Sequence, residues 1–390
     1  MIGAGLASAA SPAPRCQETL EMYDEQFSQS YATARARFCD NAARAGARLN
    51  TTLLPFAKGR DGEVLATDIA WLGPEAPGGI VIVTAGTHGI EGYAGSGFQC
   101  SLLSEAGARL HRERLGLVLV HAVNPHGFSY GCRVNEDNID LNRNFMDFAK
   151  PLPAASAVYE RLHDAIVPAE WTETQRRGAD RIIHDAWIEL GERDFQDGVC
   201  HGQYTYPDGL FYGGRAASWS NSTWRAFLAG LPRSVKYVAH IDLHTGLGPF
   251  GYGEILFPLA PDSPSRAWAC EWYEHLGLRT AGSSESSAYT ISGAMNQAVL
   301  DSSVGRQSLS ITLEFGTVEF RRMFEALRAD NWLRLRAPSG SPAAAEIHEE
   351  LRECFYPSDS GWRASVVERC NQVLTRTVDA LEARLKAEDL

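Results

Sequence analysis

Between Val81 and Gln99 the chain reads VIVTAGTHGIEGYAGSGFQ. An imidazole, His88, and a carboxylate, Glu91, stand three residues apart, just past an apolar β-branched run and among five glycines. Two ligands on one turn and a third from a distant strand is the economical way to hold a catalytic zinc, with the fourth position left open. Glycine at 86 and 89 predicts a backbone that bends sharply and lets a metal sit close. The third group is sought in HIDLHTGLG, 240–248. His240 lies mid-strand, where a satisfied core histidine is the expected role. His244 ends the strand ahead of a glycine turn and is the expected ligand. An HxxE pair alone would equally describe two surface residues, and the strand-end partner is what separates the two readings.

A second polar run, NEDNIDLNRNF at 135–145, packs Asp140, Asn142, Arg143 and Asn144 into a few residues. It reads either as a solvated loop or as part of a built site. His88, Asn124, His244 and Glu314 each fall at or just after the end of an expected strand. In open α/β sheets, sites gather at the carboxyl ends of the strands, so these four are grouped.

The elements that must position these residues follow from periodicity. Strands are expected at 79–85, 115–122, 236–243, 254–258 and 308–315, with helical stretches at 17–48, 94–110, 155–166, 264–277 and 318–334. Val366, Cys370, Val373, Leu374, Val378, Leu381 and Leu385 mark one face of a C-terminal helix. Nearly continuous apolar strands separated by helices predict a three-layer α/β/α fold with a mixed, mainly parallel twisted sheet. One domain is expected over 16–390, after a disordered leader at 1–15. It carries an aromatic-rich insert around 168–232, a Pro/Gly/Ser turn at 336–346 and C-terminal helices at 343–390.

The chain has 390 residues, 44% of them hydrophobic and 22% charged, as in an ordinary globular protein. A net charge of −12 argues against nucleic acid or an anionic membrane surface as a partner. No apolar run approaches the roughly 18 residues of a membrane span. The eight cysteines are scattered without a CxxC pair, which predicts reduced thiols and a cytoplasmic setting. GLGPFG at 246–251 matches GxGxxG formally, but Pro249 and the lack of a following helix make it a poor dinucleotide loop. No GxSxG elbow is present for a serine hydrolase. The adjoining Cys200 and His201 lack a third ligand and are read as structural.

In order along the chain stand HGIE (88–91), NPHG (124–127), Arg133, DLNRN (140–144), DLH (242–244) and TLEFGT (312–317). This ordered set, spanning 79–317, resembles the zinc carboxypeptidase superfamily, the carboxypeptidase A-like metallohydrolases with their phosphorylase/hydrolase-like fold. The resemblance implies His88, Glu91 and His244 as ligands of one zinc per chain, with Asp140 accepting the ring N–H of His88. It implies that Arg133 polarises the scissile carbonyl, that Asn142 and Arg143 hold a substrate carboxylate, and that Glu314 is the general base. AYTISGAMNQ (288–297) is similar to the superfamily's mobile tyrosine loop, which would put Tyr289 over the substrate; a packed tyrosine is the alternative. Glu319 reads as a surface helix residue.

The match also departs from the digestive enzymes. His126 stands where many relatives have an acid, and HGQYTYPDGLFYGGRAASWSN (201–221) has no counterpart among them. That segment would form a lid or wall of the pocket, or a packed surface insert. The details resemble a little-characterised bacterial branch, so zinc hydrolysis is implied more directly than peptide cleavage. DLHTG (242–246) is closer to the succinylglutamate desuccinylase and aspartoacylase group. The expected activity is therefore a metallocarboxypeptidase on small peptides, with an N-acyl-amino-acid amidohydrolase as the alternative and a non-catalytic binding protein as a third reading.

Overall fold

Eight strands form one sheet among the described residues: β1 (Arg48–Lys58), β2 (Val64–Leu72), β3 (Gly79–Ala85), β4 (Leu115–His121), β5 (Tyr237–Gly246), β6 (Gly253–Phe257), β7 (Leu278–Thr280) and β8 (Gln307–Gly316). Their order is β1-β2-β4-β3-β5-β8-β6-β7. The central strands β4, β3, β5 and β8 are parallel, whereas β1 and β2 add an antiparallel hairpin at one edge and β6 runs antiparallel to β8. This computed structural model describes residues 17–105, 113–258, 262–263, 265–302 and 305–388. The leader expected at 1–15 and the end of the expected 94–110 helix lie outside the described residues.

Strand alternation sorts the side chains onto two faces. Val81, Val83, Leu117, Leu119, Ala239, Ile241, Leu309 and Ile311 share one apolar core with Phe38, Phe98, Trp272, Val367 and Leu381. Those partners come from helices Tyr31–Arg44, Gly92–Glu105, Arg266–Tyr273 and Ser360–Ala387. Ile80, Ile82, Val118, Val120 and Val238 point the other way, onto Trp224 and Leu228 of helix Trp219–Ala229 and Met295 and Val299 of helix Met295–Asp301. Helices thus cover both faces. On β5 and β8 this second face turns polar toward the carboxyl ends: His240, Asp242 and His244 pair in register with Ser310, Thr312 and Glu314, all of them buried. A buried polar stripe costs stability unless its groups are bonded, which makes it the natural place to look for a site.

Four details differ from expectation. The stretch 17–48 is not one helix. Helix Gln17–Asp24 stops, and Ser30, accepting from Thr33 N, caps a new helix at Tyr31–Arg44, which ends before Gly46 at a φ of 71°. The β1–β2 hairpin was not expected at all. β7 is likewise new, while β6 begins and ends one residue earlier than expected.

Candidate active site

The HGIE turn begins where β3 ends. Gly86 has a φ of 74°, open to glycine at little cost. Gly89 is needed for a different reason from the one expected: a Cβ there would come within 1.9 Å of the Gly127 carbonyl carbon. The close approach it serves is to the NPHG turn, not to a metal. Asn124 belongs to that turn too. Its Oδ1 accepts from Gly127 N at 2.9 Å and its Nδ2 donates to the Arg133 carbonyl at 3.3 Å, so it braces the site from behind.

His88 and His244 both turn Nδ1 inward and Nε2 outward. His88 Nε2 lies 3.0 Å from Asp140 Oδ1, and His244 Nε2 lies 2.7 Å from Asp242 Oδ2. Inside, the two Nδ1 atoms lie 2.8 and 2.9 Å from the two oxygens of Glu91 and 3.1 Å from each other. An ionised carboxylate can only accept, so Asp140 and Asp242 fix each ring proton on Nε2. Both Nδ1 lone pairs then face each other and the Glu91 carboxylate, an arrangement that only a proton or a metal cation relieves.

Charge agrees with geometry. Burial pushes the Asp140 carboxyl up, but Arg133, Arg143 and His88 outweigh it and hold it well below the ordinary range. Glu91 is lowered likewise, by His88 and His244 against burial. His244 is raised well above its ordinary value: burial opposes the charge, yet Asp242 and Glu91 prevail. Three carboxylates against the guanidinium of Arg133 and a charged His244 leave negative charge in excess around the rings. The ligand atoms of His88, Glu91 and His244 all lie within 4.8 Å of one another. This donor set fits a divalent cation such as zinc.

The two arginines are held in opposite ways. Arg133 is ion-paired, Nε to Asp140 Oδ2 at 2.9 Å and Nη1 to Glu91 Oε1 at 3.3 Å. Arg143 is buried against neutral oxygens: Nε and Nη2 donate to the Cys200 carbonyl at 3.1 and 2.7 Å, and Nη1 to the Asn142 carbonyl at 2.9 Å. Among the described residues no carboxylate lies within ion-pair distance of it. A fixed, uncompensated fork of this kind suits a carboxylate ligand.

The 201–221 segment forms a wall behind Arg143, and none of its residues is among those lining the cavity. Phe211 lies 5.6 Å from both guanidinium carbons, in a positive-φ conformation (54°) that a bulky side chain rarely adopts. Tyr204 donates its hydroxyl to the Arg143 carbonyl at 2.8 Å and lies 3.2 Å from Ser292 Oγ. Ser292 N donates to the His201 carbonyl at 2.9 Å. The segment therefore backs Arg143 and ties it to the loop carrying Tyr289.

Glu314 sits beside His244 across the β5–β8 register, and its Oε1 accepts from Leu247 N at 3.0 Å. Burial first, and the Glu91 carboxylate second, push its carboxyl up to about 7. A cavity of about 70 Å³ brings together His88, Glu91, Arg133, Asn142, Arg143, His244, Tyr289 and Glu314. Asn142 fixes the chain there by accepting from Met295 N at 3.0 Å. Tyr289 both lines the cavity and packs edge-on against Phe320. His240 stays outside, bonded to Thr84 and Ser310, and Glu319 is exposed.

Sequence reading missed four contributors. Asp242 was legible, since D-x-H on a strand puts both side chains on one face. The Cys200 carbonyl carries no side-chain signal. Leu256 and Thr312, which line the cavity floor, face each other only through the β6–β8 register.

Among solved structures, bovine thrombin-activatable fibrinolysis inhibitor is similar at 15% identity and a TM-score of 0.45, over 89% of this chain and 99% of that one. Carboxypeptidase A from Helicoverpa armigera is similar at 13% identity and 0.45, over 90% and 81%. A succinylglutamate desuccinylase from Silicibacter sp. TM1040 is similar at 13% identity and 0.37, over 74% and 66%. No curated protein matches the chain in sequence. A family model does, over residues 27–369, and the chain belongs to that family, described as "Protein of unknown function (DUF2817)".

Proposed function

We propose that this chain is a zinc-dependent hydrolase that cleaves an amide bond beside a free carboxylate, in the manner of a metallocarboxypeptidase. The observation that carries this reading is one cavity that joins three features: converging His88, Glu91 and His244 acceptors, a carboxyl raised by burial, and a guanidinium without an ion-pair partner among the described residues. Zinc, when bound, supplies a Lewis acid that acidifies an attacking water and polarises a carbonyl. Glu314 takes the water's proton and returns it to the leaving nitrogen, so that one C–N bond breaks as one C–O bond forms. A pKa near 7 suits both halves of that transfer.

Arg133 keeps N–H groups beyond those spent on Asp140 and Glu91, and donates them to the developing oxyanion. Loss of one such donor typically costs about 100- to 1000-fold in rate. Arg143 and Asn142 hold the substrate carboxylate, and Tyr289 covers the leaving half. On the acyl side, Leu247 also lines a second cavity of about 420 Å³ bordered by Gln196, Ser287 and Phe320. That room supports an extended acyl half, hence a peptide. The DLHTG run favours the second reading, an N-acyl-amino-acid amidohydrolase. The seven described cysteines are all free thiols, which supports a cytoplasmic setting; no described helix is long and apolar enough to cross a membrane.

The test is to measure metal content of the purified chain and assay it, zinc-loaded, on blocked dipeptides and N-acyl amino acids side by side. About one zinc per chain with amide cleavage is expected. A chain that binds no zinc and cleaves neither class would refute the reading.

A further inference from the structure

The two edges of the sheet are finished differently. β7 closes one edge with three residues, Leu278–Thr280, all of them half-buried. β1 forms the other with eleven, and among the described residues it pairs with β2 alone. A long edge strand offers a row of open N–H and C=O groups to another strand, and folds usually blunt it. Here the blunting covers only the second half of β1. Pro55 lacks an N–H, and the register with β2 breaks between Leu53 and Lys58. Residues 48–53 keep an unbroken register and are all exposed. Two large apolar side chains lie open on that segment, Leu49 at 42% exposure and Leu53 at 54%.

The order of residues on this segment says what fits it. LNTTL, 49–53, has leucine at equal distances on either side of Thr51. Leu49, Thr51 and Leu53 share one face, the one on which Thr51 Oγ1 donates to Asp68 Oδ1 at 2.6 Å, and Asn50 and Thr52 share the other. Consider a second copy paired antiparallel about a two-fold axis beside Thr51. Leu49 then faces Leu53 of the partner subunit, and Leu53 faces Leu49 of the partner subunit. On the other face Asn50 meets Thr52 of the partner subunit. Apolar meets apolar and polar meets polar, which is the self-complementarity that a two-fold contact requires. A slip of one residue in either direction sets Leu53 against Arg48 or Asn50 of the partner subunit, so the pattern specifies the register. We propose that β1 is a homodimer interface, with 48–53 of two copies joined edge to edge so that one sheet runs through both. β2, β4 and β3 separate this edge from β5 and β8, which carry His244 and Glu314. The contact therefore leaves the cavity open and stands apart from the hydrolase reading.

Sedimentation velocity of the full chain over a dilution series should show a monomer–dimer equilibrium. A chain that stays monomeric throughout overturns the proposal and leaves the edge to another occupant, such as residues 1–16 or an extended peptide. Charge tests the register. Leu49→Lys together with Leu53→Lys sets like charges opposite one another and should weaken the dimer by about 10-fold or more in Kd. Leu49→Lys together with Leu53→Glu sets opposite charges across the axis and should bring Kd back to within about 3-fold of wild type. Both positions are exposed, so circular dichroism should not change. Ile188→Lys, exposed on helix Glu173–Leu190, is the control and should leave Kd as it is. A dimer weakened equally by both double variants, or untouched by either, is built on another surface and overturns the assignment. Should the double variants fail to fold, hydrogen exchange of the wild type decides. Amides at 48–53 should exchange more slowly as concentration rises, and exchange independent of concentration overturns the contact.

Discussion

The two halves of the cavity are built on opposite electrostatic plans. On the β3–β5 side, Glu91, Asp140 and Asp242 surround two imidazoles and one guanidinium, so negative charge exceeds positive. On the opposite side Arg143 is buried against the carbonyls of Cys200 and Asn142, and among the described residues no carboxylate lies within ion-pair distance of it. Uncompensated charge of either sign is costly in a dry site, and a fold keeps it only where a ligand of the opposite sign completes it. In the proposed reading, the contrast assigns a cation to the first half and an anion to the second, with Glu314 between them.

The sharpest way to break the first half is to remove a ring. His88→Ala or His244→Ala should abolish metal retention and take activity to background, whereas His240→Ala, outside the cavity and bonded to Thr84 and Ser310, should retain zinc. Elemental analysis of the three variants decides it, and full zinc in both ring variants would show that the acceptor cluster is not a metal site.

Next in size is the group between the halves. Glu314→Gln keeps shape and removes basicity, so kcat should fall about 100- to 10,000-fold while zinc content holds. The base works deprotonated, so wild-type activity is lost as pH falls through its pKa. Burial and Glu91 set that value at about 7 without metal, and a bound cation would draw it down. The acid limb of kcat/KM should therefore fall between the ordinary glutamate value of about 4.3 and about 7. A pH–rate profile without an acid limb in that range would remove Glu314 from the base role.

The halves also differ in how far sequence reveals them. His88, Glu91, His244 and Glu314 sit at or just past the ends of strands that read as apolar runs, next to glycine turns. The central parallel strands were legible for the same reason: each is a nearly unbroken apolar run. The β1 strand was not, because LNTTLLPFA neither alternates nor clusters, includes Pro55, and leaves Leu53 and Phe56 more than half exposed. Behind Arg143 the legibility ends. Its anchor is the carbonyl at the end of helix Glu192–Cys200, 57 residues along the chain, and no residue type signals a backbone oxygen.

Arg143→Ala tests the second half directly. Charge-assisted hydrogen bonds are worth roughly 1.5–3 kcal/mol, so kcat/KM should drop about 10- to 150-fold. Amidating the substrate carboxylate should do similar damage to the wild type and add little to the variant. Additive losses would mean that Arg143 does not read the carboxylate.

Asp242→Asn probes the first half more gently. It keeps the contact to His244 Nε2 but removes the charge that fixes the ring proton. Outer partners of this kind typically change metal affinity by about 10- to 100-fold. Zinc titration against a competing chelator should show weakening in that range, with carboxylate recognition unchanged. Unaltered affinity would make Asp242 a packing residue.

The smallest expected effect belongs to the wall behind Arg143. Tyr204 donates to the Arg143 carbonyl and meets Ser292 of the tyrosine loop, so its hydroxyl links the Arg143 backbone to the segment carrying Tyr289. Tyr204→Phe keeps the ring and removes that link. A single neutral hydrogen bond contributes about 0.5–1.5 kcal/mol net, which is roughly 2- to 13-fold. Because the hydroxyl touches the anion-holding half alone, the loss should appear in KM for substrates with a free carboxylate and vanish for amidated ones. Zinc content and the acid limb should not move. Should Tyr204→Phe lower metal content instead, the two halves are mechanically joined through the wall, and the division of labour drawn from their opposite charges would not hold.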